Sequence, residues 1–179
     1  ILLSSIPTIL IGFVLVQTGL INILRNIEVI GWTTIIFGIL LYFTDKFKLD
    51  KNIDDNFNYK SALIIGLFQI LSLIPGVSRS GITITAARLL NFKRYDSAKI
   101  SFLLSIPTLA AVSIYGMINI FSSQNLIFSY LNFFSIFFSF VISFITIKYF
   151  LEYIKRFNLN IFVFYRVILG VIILGSTYL

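Results

Sequence analysis

The chain contains no cysteine and no histidine, and only seven Asp and Glu stand against fourteen Lys and Arg in its 179 residues. Without cysteine there are no disulfides, thiolate nucleophiles or sulfur metal ligands in this stretch. Without histidine there is no imidazole ligand and no ordinary proton shuttle near pH 7. Any general base supplied by these residues must be a carboxylate. What fills the composition instead is apolar: 58% of residues are hydrophobic, 12% are charged and the mean hydropathy is +0.98. A soluble core of this length does not need so much, so the partner implied is a phospholipid bilayer. The 20 Phe and 9 Tyr, with plentiful Ile, Lys and Asn, match an AT-rich coding sequence and carry no function. The net charge of +7 does not imply nucleic acid, because the basic residues sit in short breaks between apolar runs rather than along one soluble face.

Apolar runs at residues 1–21, with Pro7 inside, and 27–44 are each near the ~20 residues needed to cross ~30 Å of hydrocarbon. Three more follow at 98–121, 126–151 and 160–179, with breaks at 122–125 and around 155–160. The polar stretch 45–60 reads as a loop, so residues 1–179 form a single integral membrane domain. The chain opens at Ile1 already inside an apolar run, and is expected to lack its N-terminal part.

Residues 61–91 behave differently. The run 61–73 is too short to cross and meets Pro75-Gly76, which removes an amide donor and favours a break. Each arm, at 1.5 Å per residue, reaches only ~22 Å of the ~30 Å required, which predicts a re-entrant hairpin. Charge agrees with this. If 61–91 returns to its own side, Lys46, Lys48, Lys51, Lys60, Lys93, Arg94, Lys99, Lys148, Lys155 and Arg156 share one face and only Arg25 marks the other. The positive-inside rule then makes the basic loops cytoplasmic. The hairpin is followed by three spans but preceded by two. A further span and hairpin upstream would complete an inverted repeat. The motif Leu-Ser-x-x-Pro-Thr of residues 3–8 echoes the Leu-Ser-Ile-Pro-Thr of residues 104–108, on helices expected to run in the same direction, so this echo is not evidence of that repeat.

The hairpin tip reads Pro75-Gly76-Val77-Ser78-Arg79-Ser80-Gly81-Ile82-Thr83. A charge at membrane depth costs several kcal/mol unless paired or hydrated, and no acidic residue is placed to pair with Arg79. An anionic ligand answers the charge. Ser78 or Ser80 can cap the second arm, whose free amides and dipole favour an anion. Gly76 and Gly81 allow close approach to the backbone, and Thr83, one turn on, can aim its hydroxyl at the same point. Arg79 adds a planar fork suited to phosphate. The serines and glycines serve packing and capping equally well; Arg79 does not fit that plainer reading. Gln69 either meets a ligand or joins neighbouring helices. Arg166, beside Tyr165 in the last span, either snorkels or joins the anion site.

Gln69–Thr83, the Phe-Leu-Leu-Ser-Ile-Pro of residues 102–107 and the Tyr165-Arg166 pair together resemble the C-terminal two thirds of the undecaprenyl-diphosphatase (bacitracin-resistance) family. The resemblance implies an all-α polytopic membrane protein with about five spanning helices plus one re-entrant hairpin, part of an inverted-repeat architecture. It further implies a bacterial inner-membrane hydrolase that converts undecaprenyl diphosphate to the monophosphate and recycles the lipid carrier of cell-wall synthesis. Its partner is a polyprenyl diphosphate lipid, with room for a homo-oligomer, and a divalent cation, Mg or Ca, is expected. Arg79, Ser78 and Ser80 take catalytic roles, and Gly76, Gly81, Thr83, Gln69 and Arg166 bind substrate. The family's other motif, two glutamates followed by a Pro-x-Ser-Ser-Thr-Gly-His run, has no counterpart, so the cation ligands and the base are expected upstream. A lipid-phosphate transporter or flippase using the same anion site is the alternative.

Overall fold

The computed structural model describes residues 1–47, 50–122 and 130–178. Lys48, one of the basic loop residues, and most of the break at 122–125 lie outside them. The described residues form helices α1 (Leu2–Gln17), α2 (Leu20–Leu24), α3 (Ile27–Asp45), α4 (Ile53–Asn56), α5 (Tyr59–Ile70), α6 (Arg79–Leu89), α7 (Arg94–Ser122), α8 (Tyr130–Arg156) and α9 (Asn160–Tyr178). Helices α3, α7, α8 and α9 are long and apolar enough to cross a membrane, and the protein is an all-α, multi-pass membrane protein. Residues 1–21, expected as one continuous span, are interrupted. α1 stops after 16 residues, because Gly19 takes a left-handed φ of 71° that a helix cannot continue through.

Asparagine starts two of these helices for a local reason. The Asn26 side chain accepts from the Glu28 amide at 3.2 Å, and Asn58 accepts from the Ser61 amide at 2.9 Å, satisfying amides with no partner inside the helix.

The 59–89 segment starts and finishes at the same end of the bundle. The Lys51 amide donates to Asn91 O at 3.1 Å, and the Lys93 amide donates to Lys51 O at 3.0 Å. The chain entering α5 is thus stitched to the chain leaving α6. α6 is the most enclosed element: residues 81–88 are all buried, between Leu41 and Val163 on one side and Ile65 and Leu104 on the other. α1 runs beside α5 in the same direction, with Thr8 Oγ1 donating to Gly66 O at 3.3 Å. A methyl on Gly66 would collide with the Ser4 backbone, so these two helices touch along small residues.

Asp45 fastens this end. It is 2% exposed and was expected only as the edge of a loop. Its Oδ1 lies 2.6 Å from Arg94 Nε and 3.8 Å from Arg88 Nε, and its Oδ2 accepts from the Leu159 amide at 3.0 Å. One carboxylate therefore ties the end of α3 to the foot of α6, the start of α7 and the entry to α9. Arg88, itself 3% exposed, also donates to the carbonyls of Asp45, Phe47 and Phe92.

Removing one partner from a buried ion pair commonly costs about 3–5 kcal/mol, because the other charge is left uncompensated. Asp45→Ala in the complete protein is expected to lower the unfolding free energy in detergent by an amount at the lower end of that range, read as a drop in the unfolding midpoint, since Arg94 is partly solvated. A midpoint unchanged within error would show that the network is not what holds these four segments together.

Candidate functional site

The hairpin turns where helical hydrogen bonding fails. After a 3₁₀ turn at Leu71–Leu73, Pro75 has no amide to donate, and Gly76 sits at φ 89°. A side chain there would also strike Thr33 Oγ1 and Ile30 O, so only glycine fits this close to α3. The turn's carbonyls are answered from other helices. Thr33 Oγ1 lies 2.7 Å from Pro75 O and equally close to Val29 O, sharing one proton between the turn and its own helix. Thr34 Oγ1 lies 3.2 Å from Gly76 O. Arg166 Nη2 donates to Gly76 O at 2.8 Å and to Val77 O at 2.9 Å.

Helix α6 then starts at the tip. Ser78 has a φ of 62° and caps the helix, its Oγ accepting from the Gly81 amide at 3.3 Å. Its hydroxyl lies 3.5 Å from Ser80 Oγ. Both serines are exposed, at the positive end of the helix dipole, where a phosphate is favoured. They border a cavity of about 600 Å³ that is otherwise largely apolar, and Gly76, Gly81 and Arg166 border it too. Arg166 is 8% exposed, and its Nη1 has no hydrogen-bond partner among the described residues. A methyl added to Gly81 would sit 2.7 Å from that nitrogen and 3.3 Å from Ser78 Oγ, so Gly81 leaves room for the cation beside the cap.

The remaining candidates face elsewhere. Arg79 turns away from this cavity, its Nη2 donating to Leu104 O at 2.9 Å and to Thr108 Oγ1 on α7. Thr83 does not reach the tip. It is 1% exposed, lying 2.9 Å from Arg79 O and 2.7 Å from Ser101 Oγ, because α6 packs that face against α7. Gln69 is fully buried, with neither amide atom partnered among the described residues, and it does not border the cavity. Thr8 and Thr108, equivalent positions in the sequence echo, border a second, apolar groove of about 320 Å³ between α1 and α7.

Sequence reasoning missed Thr33, Thr34 and Thr108. Paired threonines inside an apolar span were the available signal. Among the described residues no three acidic side chains come together to hold a metal ion, so these residues alone do not fit the expected cation.

A multi-pass helical bundle that sets a helix N-terminus, two hydroxyls and a buried guanidinium at the edge of an apolar cavity is a membrane protein with a polar site among apolar walls. The family model for bacitracin resistance protein BacA matches residues 1–172, and the chain belongs to that family. It is 53% identical over 173 residues to the undecaprenyl-diphosphatase of Pelagibacter ubique (strain HTCC1062), covering 96% of this chain and 67% of that protein. It is 36% identical over 177 residues to the undecaprenyl-diphosphatase of Jannaschia sp. (strain CCS1), covering 99% and 66%. The corresponding protein of Alteromonas mediterranea is 38% identical over 174 residues, covering 97% and 65%. The chain thus spans about two thirds of the length of these curated relatives.

Gly76→Ala is expected to destabilise the complete protein by at least the ~1–3 kcal/mol of a forced left-handed backbone, measured as loss of thermal stability in detergent. Gly116→Ala is the control, since nothing lies within 4 Å of a methyl there. Equal effects at the two sites would remove the steric argument for the tip.

Proposed function

We propose that the complete protein hydrolyses undecaprenyl diphosphate to undecaprenyl phosphate and inorganic phosphate. Water attacks the terminal phosphorus, the bridging P–O bond breaks and the lipid phosphate leaves. The observation that carries this reading is Arg166, buried at the neck of an apolar cavity with Nη1 unpartnered beside the Ser78 cap among the described residues. A buried cation without a counter-charge calls for an anion, and the surrounding apolar walls call for one that carries a hydrocarbon chain.

In this reading the α6 N-terminus, Ser78 and Ser80 hold phosphate oxygens. Arg166 supplies positive charge from the cavity side and Arg79 from the α7 side, where fixed donors stabilise charge that builds up in the transition state. The two arginines flank the turn rather than sharing one pocket. The base that activates water and the carboxylates for a divalent cation, Mg or Ca, are assigned to residues outside this chain. The hairpin is read as re-entrant from the cytoplasmic face of a bacterial inner membrane. The bundle end carrying Lys46, Lys51, Lys93 and Lys155 faces the cytoplasm, and the tip opens toward the far side.

Purified full-length protein given undecaprenyl diphosphate and a divalent cation is expected to release phosphate. Movement of intact lipid across liposomes without phosphate release would favour the transporter reading instead. Arg79→Lys keeps the charge but cannot reproduce the guanidinium contacts to Leu104 O and Thr108 Oγ1 that fix it beside the turn, and is expected to reduce turnover about 10²-fold at equal protein level. Near-normal turnover would refute its role on phosphate.

Topology has its own test. Single cysteines at Lys51, Lys93 and Lys155, in a cysteine-free background, are expected to react with an impermeant thiol reagent from the cytoplasmic side alone. Labelling of positions 51 and 93 from opposite sides would show that the hairpin crosses.

A further inference from the structure

The larger cavity has a polar neck and an apolar body, and the body has a shape of its own. On the side facing the basic end, Phe150 packs edge to face against Phe102 (ring centroids 5.6 Å apart, 86°) and against Phe162 (5.1 Å, 71°). All three rings border the cavity. Leu159, 1% exposed, borders the cavity with them, and Ile154, 2% exposed, belongs to the same packed cluster, so the cavity ends there against core. Its side wall differs: Thr146 and Ile147 of α8 border it and are both exposed. Further toward the α8 N-terminus, Phe137, Phe138 and Phe140 are more than half exposed, so this side opens onto the face that meets lipid acyl chains.

We infer that this cavity seats the first isoprene units of the lipid diphosphate, with the Phe102–Phe150–Phe162 cluster as a floor that blocks the chain's path toward the basic end and turns it out past Ile147 into the bilayer. The inference rests on the hydrolase reading for the identity of the head group. The occupant follows from charge and shape: the Arg166 guanidinium beside the neck, whose enclosed Nη1 has no partner among the described residues, favours an anion, and an apolar, aromatic-lined body bordered by exposed α8 residues accepts a hydrocarbon chain attached to it. A volume of about 600 Å³ lies within the roughly 300–1,000 Å³ of sites for drug-sized ligands. It holds the start of a polyprenyl chain and not its whole length. The distal chain therefore lies in lipid and contributes little discrimination, so recognition of chain length is confined to the units nearest the phosphate.

Two measurements on the full-length protein test this. In the first, an undecaprenyl monophosphate analogue with a diazirine in its first isoprene unit is photolysed with the unsubstituted protein, which requires no turnover. Cross-links to Phe150, Phe102, Ile147 or Leu169 are expected. Cross-links confined to Gly12, Ala111 or Val112 of the α1–α7 groove, or to Phe137 and Phe138, overturn the inference. In the second, Ile147→Trp, which fills the outlet, is expected to raise KM about tenfold for farnesyl and undecaprenyl diphosphate alike, a change of one decade in affinity, with kcat within about twofold. Phe138→Ala on the lipid-facing surface is expected to leave KM unchanged. An unchanged KM in Ile147→Trp overturns the inference. If the unsubstituted protein releases phosphate from no lipid diphosphate, the hydrolase reading fails, and the photolabelling pattern still decides where the chain lies.

Discussion

Everything at the tip depends on how three carbonyls, those of Pro75, Gly76 and Val77, are satisfied where water is scarce. A break in a helix at this depth strands polar backbone, and each stranded group costs several kcal/mol in hydrocarbon. This bundle resolves the problem with side chains from two other helices, Thr33 and Thr34 on α3 and Arg166 on α9. The same bonds fix the orientation of α6. Its free amides and the Ser78 cap can meet a ligand because the preceding turn has no need of them. Arg166 thus links the turn to the cap: one nitrogen holds the turn, while the other packs beside Gly81 with no hydrogen-bond partner among the described residues.

A second constraint acts at the opposite end of the hairpin. The tip keeps its depth only if both feet are anchored, and Asp45 with Arg88 and Arg94 provides that anchor together with the Lys51 backbone pairing. The contact is electrostatic but mostly shielded from solvent, so salt screens it far less than a surface pair. Fixed at tip and foot, α6 has little freedom to slide, which suits a site that works by preorganisation.

Much of this was legible in the residues. Pro75-Gly76 between two short arms marked the turn, and Arg79 in an apolar setting drew attention to the residues that follow it. What escaped notice depends on three-dimensional direction. Residues one apart on a helix point about 100° from each other, so Ser78, Arg79 and Ser80 cannot all face one ligand pocket from a single helix start. Sequence reading grouped them, and the fold sends Arg79 to Thr108 while leaving both serines on the cavity. Thr83 was misread for the same reason, since one turn along the helix brings it over the α7 face. Asp45 looked like the first residue of a polar loop, because nothing local distinguishes a solvated carboxylate from one buried by two distant arginines. Thr33 and Thr34 looked like tolerated hydroxyls in a span, and only the approach of Gly76 gives them a task.

The separation of the two arginines bears on how the site can work. A diphosphate has two charged phosphoryl groups, and a site that gathered every cation on one side would hold the intact substrate and the monophosphate product almost alike. In the proposed hydrolase reading, Arg166 at the apolar cavity and Arg79 across the turn, against neutral partners on α7, would offer charge to a bound diphosphate from two different sides. Under that reading, charge moving toward the leaving oxygen and toward the departing phosphate would be met by different residues, each already fixed by its own helix. Tight binding of the substrate would not require both; efficient bond cleavage would, since only interactions stronger in the transition state than in the ground state accelerate the step.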